Sequence, residues 1–231
     1  MHARALHPRE EHMAVRKKKP DAMAAVLEHA LEHAAFDGFT ESVLARACES
    51  AGVSKADMTR LFPDGARSLV AAYSDSLDAK LESQLARQKL KALKVRERIR
   101  EAVLARLALL RPHKEAARRA AAFLTLPPNA ALGAKLLYRT VDTMWRAAGD
   151  TSTDFNFYTK RAILAGLWTS TLMRWFTDDA AGEASTRAFL DARIENVMQF
   201  EKFKSRVKAR AEKLPSLADV LGAFNRNSSA R

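Results

Sequence analysis

Helical periodicity is the feature of this sequence that most limits its fold. From Asp21 onward, apolar side chains recur every three or four residues, and clusters of β-branched residues are rare. That spacing places apolar groups on one face of an α-helix. Glycine and proline interrupt the pattern only at separated points, such as Gly52, Pro63 and Gly149. The pattern predicts an all-α protein of about nine or ten helices and no sheet.

Composition narrows the chemistry that the chain can support. The 231 residues are 48% hydrophobic, which is enough for a core, but they include only 8 glycines. Neither GxGxxG nor GxxxxGKS/T occurs, which argues against nucleotide-dependent chemistry. The lone Cys48 has no internal disulfide partner, so we expect a reducing compartment. The longest apolar run, Ala162 to Met173, is shorter than the roughly 20 residues of a membrane-spanning helix.

The net charge of +12 is distributed unevenly along the chain. Residues 21–86 sum to −6, whereas residues 87–119 sum to +9 and residues 201–231 to +5. Residues 1–20 are basic and carry few large apolar groups, so they are predicted to form a flexible tail. The basic excess therefore lies outside the segment with the strongest local pattern.

That pattern lies in residues 36–62. Thr40 is placed to cap one helix, Gly52 lies in a tight turn, and Ser54 is placed to cap a second short helix. This arrangement predicts a helix-turn-helix. The wording AFDGFTESVLARACESAGVSKADMTRLFPDGARSLV resembles the N-terminal domain of TetR-type regulators. The resemblance implies a three-helix unit, then a long fourth helix and a larger helical ligand-binding domain.

The charge of this segment argues against DNA binding. A helix that reads a DNA groove needs cations to neutralise phosphates. The second helix of the motif offers Lys55 and Arg60, with Asp57 between them. We therefore expect the helix-turn-helix to serve as a packing unit, with nucleic-acid binding unlikely. A TetR-type transcriptional regulator with an apolar effector is the alternative.

A possible metal motif lies in the first helix. His29, Glu32 and His33 read HALEH, the spacing of an inverted zinc-protease motif. The other interpretation is a half-exposed polar face of that helix. Because no third ligand is evident downstream, we assign neither a metal site nor any catalytic residue.

The segment from Leu132 to Phe176 is the most unusual part of the chain. One helix is expected to stop at Gly149, and Thr151 with Asp154 forms a capping-box pattern that begins the next. The second helix is apolar nearly all round in its later half, so it is expected to be central. Its large side chains fit either plain core packing or the walls of a cavity for an apolar ligand. The candidate lipid-binding residues are Leu137, Val141, Leu164, Leu167, Trp168 and Leu172.

The same segment carries a second resemblance to a known family. The words VDTMWRAAGDTSTDFNFYTKRAILAGLW and the preceding LPPN turn resemble the signature of the Coq-nine family of ubiquinone-biosynthesis accessory proteins. The likeness extends over about residues 21–200. It implies a TetR-like homodimer that is not an enzyme, has no cofactor, and binds isoprenoid quinone intermediates. It also implies docking to the di-iron hydroxylase of demethoxyubiquinone through a surface patch, formed here by Asp142, Met144, Trp145, Asp154, Phe157, Tyr158 and Arg161.

The end of the chain suggests a membrane contact. After Pro215, a short amphipathic helix is predicted, and many Lys and Arg residues precede it. Such a segment lies on a membrane surface rather than across it. Packing on a partner subunit is the other interpretation. The candidate membrane-contacting residues are Leu217, Val220, Leu221 and Phe224.

These interpretations predict a tail at residues 1–20, a TetR-like helix-turn-helix domain at 21–85, a helical lipid-binding and dimerisation domain at 86–213, and an amphipathic segment at 214–231. The expected location is the cytoplasm with peripheral membrane association in a bacterium, or the matrix side of the mitochondrion in a eukaryote.

Overall fold

The structure, a computed structural model, describes residues 19–88, 90–151 and 155–211, with side chains at 22–88, 90–151 and 157–200. These ranges contain nine α-helices, four short 3-10 turns and no strand. The predicted all-α class is therefore confirmed. The helices are α1 Lys19–Asp37, α2 Glu41–Ser50, α3 Lys55–Leu61, α4 Ala66–Ala86, α5 Val95–Leu110, α6 Lys114–Thr125, α7 Ala130–Ala147, α8 Phe155–Phe176 and α9 Ala184–Ala211.

The predicted caps of the helix-turn-helix are present. The Thr40 hydroxyl accepts a hydrogen bond from the amide of Val43 at 3.2 Å, and the Ser54 hydroxyl accepts one from the amide of Asp57 at 3.1 Å. Between α2 and α3, Gly52 has a φ of 65°, which glycine adopts without steric cost. These local interactions fix the angle between α2 and α3.

The core continues from the helix-turn-helix into the rest of the molecule. Helix α1 packs against α6 as well as α2, and buried apolar residues form one cluster through both regions. The predicted boundary at residue 85 falls in the last turn of α4, and Leu85 itself is buried in that cluster. The helix-turn-helix is thus packed as part of a larger helical body.

Helices α4 to α9 form the larger body. Helix α4 packs against α5 and α7, α7 packs against α8, and α8 packs against α9. The prediction that α8 is central is only partly right: Leu164, Trp168 and Trp175 are buried, but Gly166 and Met173 are exposed on the opposite face, and α8 packs mainly on α7 and α9. No helix in the described ranges is long and apolar enough to cross a bilayer.

Two carboxylates set the turn between α8 and α9. Asp178 accepts hydrogen bonds from the hydroxyl of Thr186 at 2.7 Å, its amide at 2.6 Å, and the amide of Ala180 at 3.0 Å. The bond from the Thr186 hydroxyl is the main reason that the pKa of Asp178 is lowered to about 2. Glu183 accepts from Arg111 at 2.9 Å and from the Trp175 indole at 2.8 Å. These bonds anchor the start of α9.

Candidate functional site

An apolar cavity of about 310 Å³ lies among α4, α5, α6, α7 and α8; we call it the bundle cavity. Its volume falls at the lower end of the range of about 300–1,000 Å³ found for small-molecule sites. Gly133 allows α7 to approach α6 here, because a Cβ atom at this position would lie 2.9 Å from the carbonyl oxygen of Leu124. The lining is mainly apolar and includes Val70, Leu77, Leu110, Leu124, Leu137, Trp168, Leu172 and Phe176.

The bundle cavity has an exposed mouth and a buried polar floor. Met173, which is 47% exposed, and the exposed Thr169 mark the mouth. Tyr73 and Arg106 mark the floor, and Arg106 is only 4% exposed. An amphiphilic molecule matches a site with this distribution of polar and apolar surface.

The floor contains a buried ion pair. The Nη2 atom of Arg106 lies 3.2 Å from Asp78 Oδ1, and the hydroxyl of Thr140 donates to the same carboxylate at 3.0 Å. Burial raises the pKa of Asp78, although the Arg106 charge and the Thr140 bond oppose the shift. Burial also lowers the pKa of Arg106 and raises the pKa of Tyr73 to about 12. The burial that causes these shifts, with Tyr73 5% and Arg106 4% exposed, shields the floor from water.

A second apolar cavity of about 300 Å³ lies between α5, α8 and α9; we call it the outer groove. Val95 on its rim is exposed, so the groove opens to solvent. Other apolar lining residues are Ile99, Trp145, Ile163, Leu164, Leu167, Ile194, Val197 and Met198.

The structure divides the six candidate lipid-binding residues between these two cavities. Leu137, Trp168 and Leu172 line the bundle cavity. Leu164 and Leu167 line the outer groove. The division follows from helix geometry, since residues 168 and 172 of α8 face a different direction from residue 167. Val141 lies outside both linings and is buried in the core.

The predicted docking residues surround a buried cation. Arg161 on α8 donates from Nε to Asp142 Oδ1 at 2.8 Å and from Nη1 to Asp150 Oδ2 at 3.1 Å. Its guanidinium also stacks over the ring of Phe157, 3.4 Å from the centroid. Asp142 belongs to α7 and Asp150 to the connection after it, so this network joins the end of α7 to the beginning of α8.

A second set of bonds strengthens the same junction. The indole of Trp145 donates to the carbonyl oxygen of Lys160 at 3.0 Å. The ammonium group of Lys160 lies 2.8 Å from Asp150 Oδ1, and Arg146 pairs with Asp142 at 2.7 Å. The Asp142 and Asp150 carboxylates are each shared by two cations, which makes the junction a connected network.

Two of the predicted docking residues are buried, so the prediction that they belong to a surface patch is wrong. Met144 is 0% exposed and Arg161 is 4% exposed, so neither lies on the surface of the protomer. Met144 shares the core-facing side of α7 with Val141, three residues earlier, and Arg161 is enclosed by its two carboxylates. Asp154 lies outside the described residues.

Among the described docking candidates, three aromatic side chains and Asp142 remain partly or fully exposed. Tyr158 is 67% exposed, and its ring meets Phe157 edge-on with centroids 5.1 Å apart. Trp145 and Phe157 are partly exposed. We call Trp145, Phe157 and Tyr158 the aromatic patch.

The remaining predicted motifs are the histidine pair of α1, the helix-turn-helix and the C-terminal amphipathic segment. His29 and His33 are partly buried on α1, and no three His, Cys, Asp or Glu side chains of the described residues are grouped as metal ligands. In the helix-turn-helix, Arg60 pairs with Asp57, and Arg46 pairs with Asp37. The membrane-contacting candidates Leu217, Val220, Leu221 and Phe224 lie outside the described residues.

Comparison with known proteins supports the second resemblance. Residues 130–201 match the sequence profile of the COQ9 family. The Rattus norvegicus ubiquinone biosynthesis protein COQ9, mitochondrial, is 36% identical over 196 residues, which cover 82% of this chain and 62% of that protein. The Homo sapiens protein of the same name is 34% identical, over 82% of this chain and 61% of that protein. The chain thus spans about three fifths of the length of these relatives.

The fold comparison agrees. The crystal structure of a TetR transcriptional regulator from Nitrosomonas europaea ATCC 19718 superposes with a TM-score of 0.62 at 20% identity. The match covers 77% of this chain and 97% of the regulator. The TetR-like fold predicted from the helix-turn-helix is therefore confirmed, and the sequence matches confirm the resemblance of this chain to the COQ9 family.

Proposed function

We propose that this protein is a lipid-binding accessory protein of ubiquinone biosynthesis. It holds isoprenoid quinone intermediates in the bundle cavity, presents them to the demethoxyubiquinone hydroxylase, and performs no catalysis of its own. The observation that carries the proposal is the apolar bundle cavity, with its exposed mouth and buried polar floor. The names of the relatives, which describe ubiquinone biosynthesis proteins, support the pathway.

The chemistry of the ligand explains why a carrier is needed. Each methylene-sized group of an isoprenoid tail costs about 0.8 kcal/mol to expose to water. A quinone with a long tail therefore stays in the bilayer unless an apolar surface receives it. The bundle cavity offers such a surface to the ring and the first part of the tail.

The aromatic patch supports docking of a protein partner. Exposed aromatic side chains are enriched at protein interfaces. The network around Arg161 fixes the helix turn that carries Phe157 and Tyr158, so the patch is rigid before binding. Pre-organisation of this kind reduces the entropic cost of association.

A homodimer and a peripheral membrane location belong to the same proposal. Ala162 and Gly166 are exposed one turn apart on α8, and a Cβ atom added at Gly166 would meet nothing within 4 Å. This pair of small residues, which lies outside the lining of the bundle cavity, allows close approach of a second copy. The basic segment 201–231 would bring the dimer to anionic lipid, on the cytoplasmic face of a bacterial membrane or the matrix face of a mitochondrial one.

Lipid extraction tests the carrier function. Protein purified from a ubiquinone-producing host should yield isoprenoid quinones by mass spectrometry. Ala121→Phe, which places a ring in the bundle cavity, should lose them, whereas Ala24→Phe on the exposed face of α1 should retain them. The absence of isoprenoids from the wild-type protein, together with normal ubiquinone levels in a deletion strain, would refute the proposal.

Co-purification tests the docking surface separately. Tyr158→Ala should weaken capture of the di-iron hydroxylase, while Tyr138→Ala, a similarly exposed tyrosine on α7, should leave it unchanged. Equal capture by both variants would show that the aromatic patch is not the docking surface.

A further inference from the structure

The floor of the bundle cavity carries more hydrogen-bond donors than the protein uses. Among the described residues, the Nε and Nη1 atoms of Arg106 and the hydroxyl of Tyr73 have no hydrogen-bond partner. Both side chains are buried and line the cavity. A buried donor without a partner is destabilising, so a native protein rarely keeps several together unless they serve another purpose.

The fold itself engages one nitrogen of the guanidinium. Nη2 of Arg106 lies 3.2 Å from Asp78 Oδ1 and 3.5 Å from the carbonyl oxygen of Ser74. That contact joins α5 to α4. The other two nitrogens make no contact of this kind with the described residues, which leaves a cluster of donors from Arg106 and Tyr73 facing a mainly apolar cavity.

The charge balance of the floor indicates which kind of ligand atom accepts hydrogen bonds from those donors. Asp78 compensates the charge of Arg106, and the neighbouring Asp75 pairs with Arg139 at 2.9 Å. An anionic ligand would therefore bring an uncompensated negative charge into a site of low polarity. A neutral oxygen acceptor completes the hydrogen bonds without that cost.

We propose that Arg106 and Tyr73 bind the neutral oxygen of a ligand's head, of the quinone-carbonyl class, while its apolar tail runs toward Met173 at the mouth. The inference rests on the proposed carrier function and adds the head-group class and the binding direction. In this orientation the ring is held away from water and the tail lies nearest the surface. Transfer of the ring to another protein then requires release from the floor.

Three probes of similar tail length, each presented in the same non-ionic detergent, separate the contributions to affinity: decylubiquinone, decylbenzene and decanoate. Isothermal titration calorimetry of the full chain should show tighter binding of decylubiquinone than of the other two. Tyr73→Phe should weaken decylubiquinone binding by about 3- to 10-fold, the effect of one hydrogen bond, and leave decylbenzene binding unchanged. The double variant Arg106→Met/Asp78→Asn, which removes both charges together, should weaken decylubiquinone binding by about 10-fold or more.

Tyr138→Phe, on the exposed surface of α7, is the matched control and should change no affinity. Thermal unfolding of each variant checks the fold, and Tyr73→Phe alone decides the question if the double variant does not fold. Unchanged decylubiquinone affinity in Tyr73→Phe, or tighter binding of decanoate than of decylubiquinone, would overturn the assignment of the head group while leaving the carrier function intact. If the wild-type protein binds none of the probes, the carrier function fails as well.

Discussion

Two buried guanidinium groups in this molecule have the same exposure and opposite hydrogen-bonding states. Arg161 and Arg106 are each 4% exposed. All three nitrogens of Arg161 donate, to Asp142, Asp150 and the carbonyl oxygen of Phe157. Among the described residues, Arg106 leaves two of its three nitrogens without a partner. The first site is complete in the protein alone, whereas we propose that the second is completed by a ligand.

The two arginines therefore differ in role: Arg161 stabilises the fold, whereas we propose that Arg106 also binds a ligand. The network of Arg161 joins α7 to α8 and supports the aromatic patch from beneath. Arg106 also joins two helices, α5 and α4, but through one nitrogen only.

Loss of the Arg161 charge should have the largest effect on stability. Arg161→Met leaves Asp142 and the buried Asp150 without their shared cation, which should lower the free energy of unfolding by about 3–5 kcal/mol. Urea denaturation measures this. Arg146→Met is the matched control, because Arg146 is an exposed partner of Asp142 and its loss should cost about 0–1 kcal/mol. Equal losses in the two variants would contradict the structural role of Arg161.

Asp178→Ala should have a smaller and pH-dependent effect. The folded pKa of Asp178 is about 2, below its ordinary value of 3.8, so its contribution is complete above that value and is lost as the pH falls through about 2. The variant should melt at a lower temperature than the wild type at pH 6. The difference should shrink as the pH falls from 4 to 2. A difference in melting temperature that is independent of pH would show that the carboxylate charge is not what Thr186 recognises.

The double variant Arg106→Met/Asp78→Asn should change stability little. Replacing both members of a buried ion pair removes two desolvated charges together, so the free energy of unfolding should stay within about 1 kcal/mol of wild type. Chemical denaturation without ligand measures this. A loss as large as that of Arg161→Met would mean that the Arg106 pair is chiefly architectural.

Arg60→Ala should have the smallest effect. The pair of Arg60 and Asp57 is exposed on α3, and such pairs contribute about 0–1 kcal/mol. If the helix-turn-helix serves only for packing, wild type and variant should both lack specific, salt-sensitive binding to the neighbouring promoter in a gel-shift assay. A specific shift that Arg60→Ala abolishes would favour the alternative of a transcriptional regulator.

Local features of the fold could be predicted from sequence because their causes are local. The caps at Thr40 and Ser54 depend on residues within three positions, and both are present in the structure. The apolar spacing in α8 was sufficient to predict a buried face, although the opposite face, with Gly166 and Met173, is exposed. The motif at 141–168 identified the family because it is a continuous run of residues.

The sequence did not reveal which side chains of the motif at 141–168 face the core and which face solvent. Met144 follows Val141 by three residues, so helical spacing places both on the same side of α7, yet the docking interpretation treated the motif as one surface. The burial of Arg161 depends on Asp142 and Asp150, whose distance from it only the packing of α7 on α8 determines.

The polar floor of the bundle cavity was missed altogether. A signal was present, because Arg106 continues the apolar face of α5 that Ile99, Ala102 and Val103 form. Its partners could not be deduced, since Asp78 and Thr140 lie on other helices and meet it only in the folded protein. The division of the lipid-binding candidates between two cavities could not be deduced either, because it also depends on how helices distant in sequence pack together.

Native mass spectrometry of the protein, purified from a ubiquinone-producing host, shows whether the bundle cavity holds a quinone. We expect a protomer mass raised by one isoprenoid quinone, and the loss of that increment in Ala121→Phe but not in Ala24→Phe. Wild-type protein that carries no isoprenoid quinone, and binds no decylubiquinone when that quinone is added, would contradict the proposal.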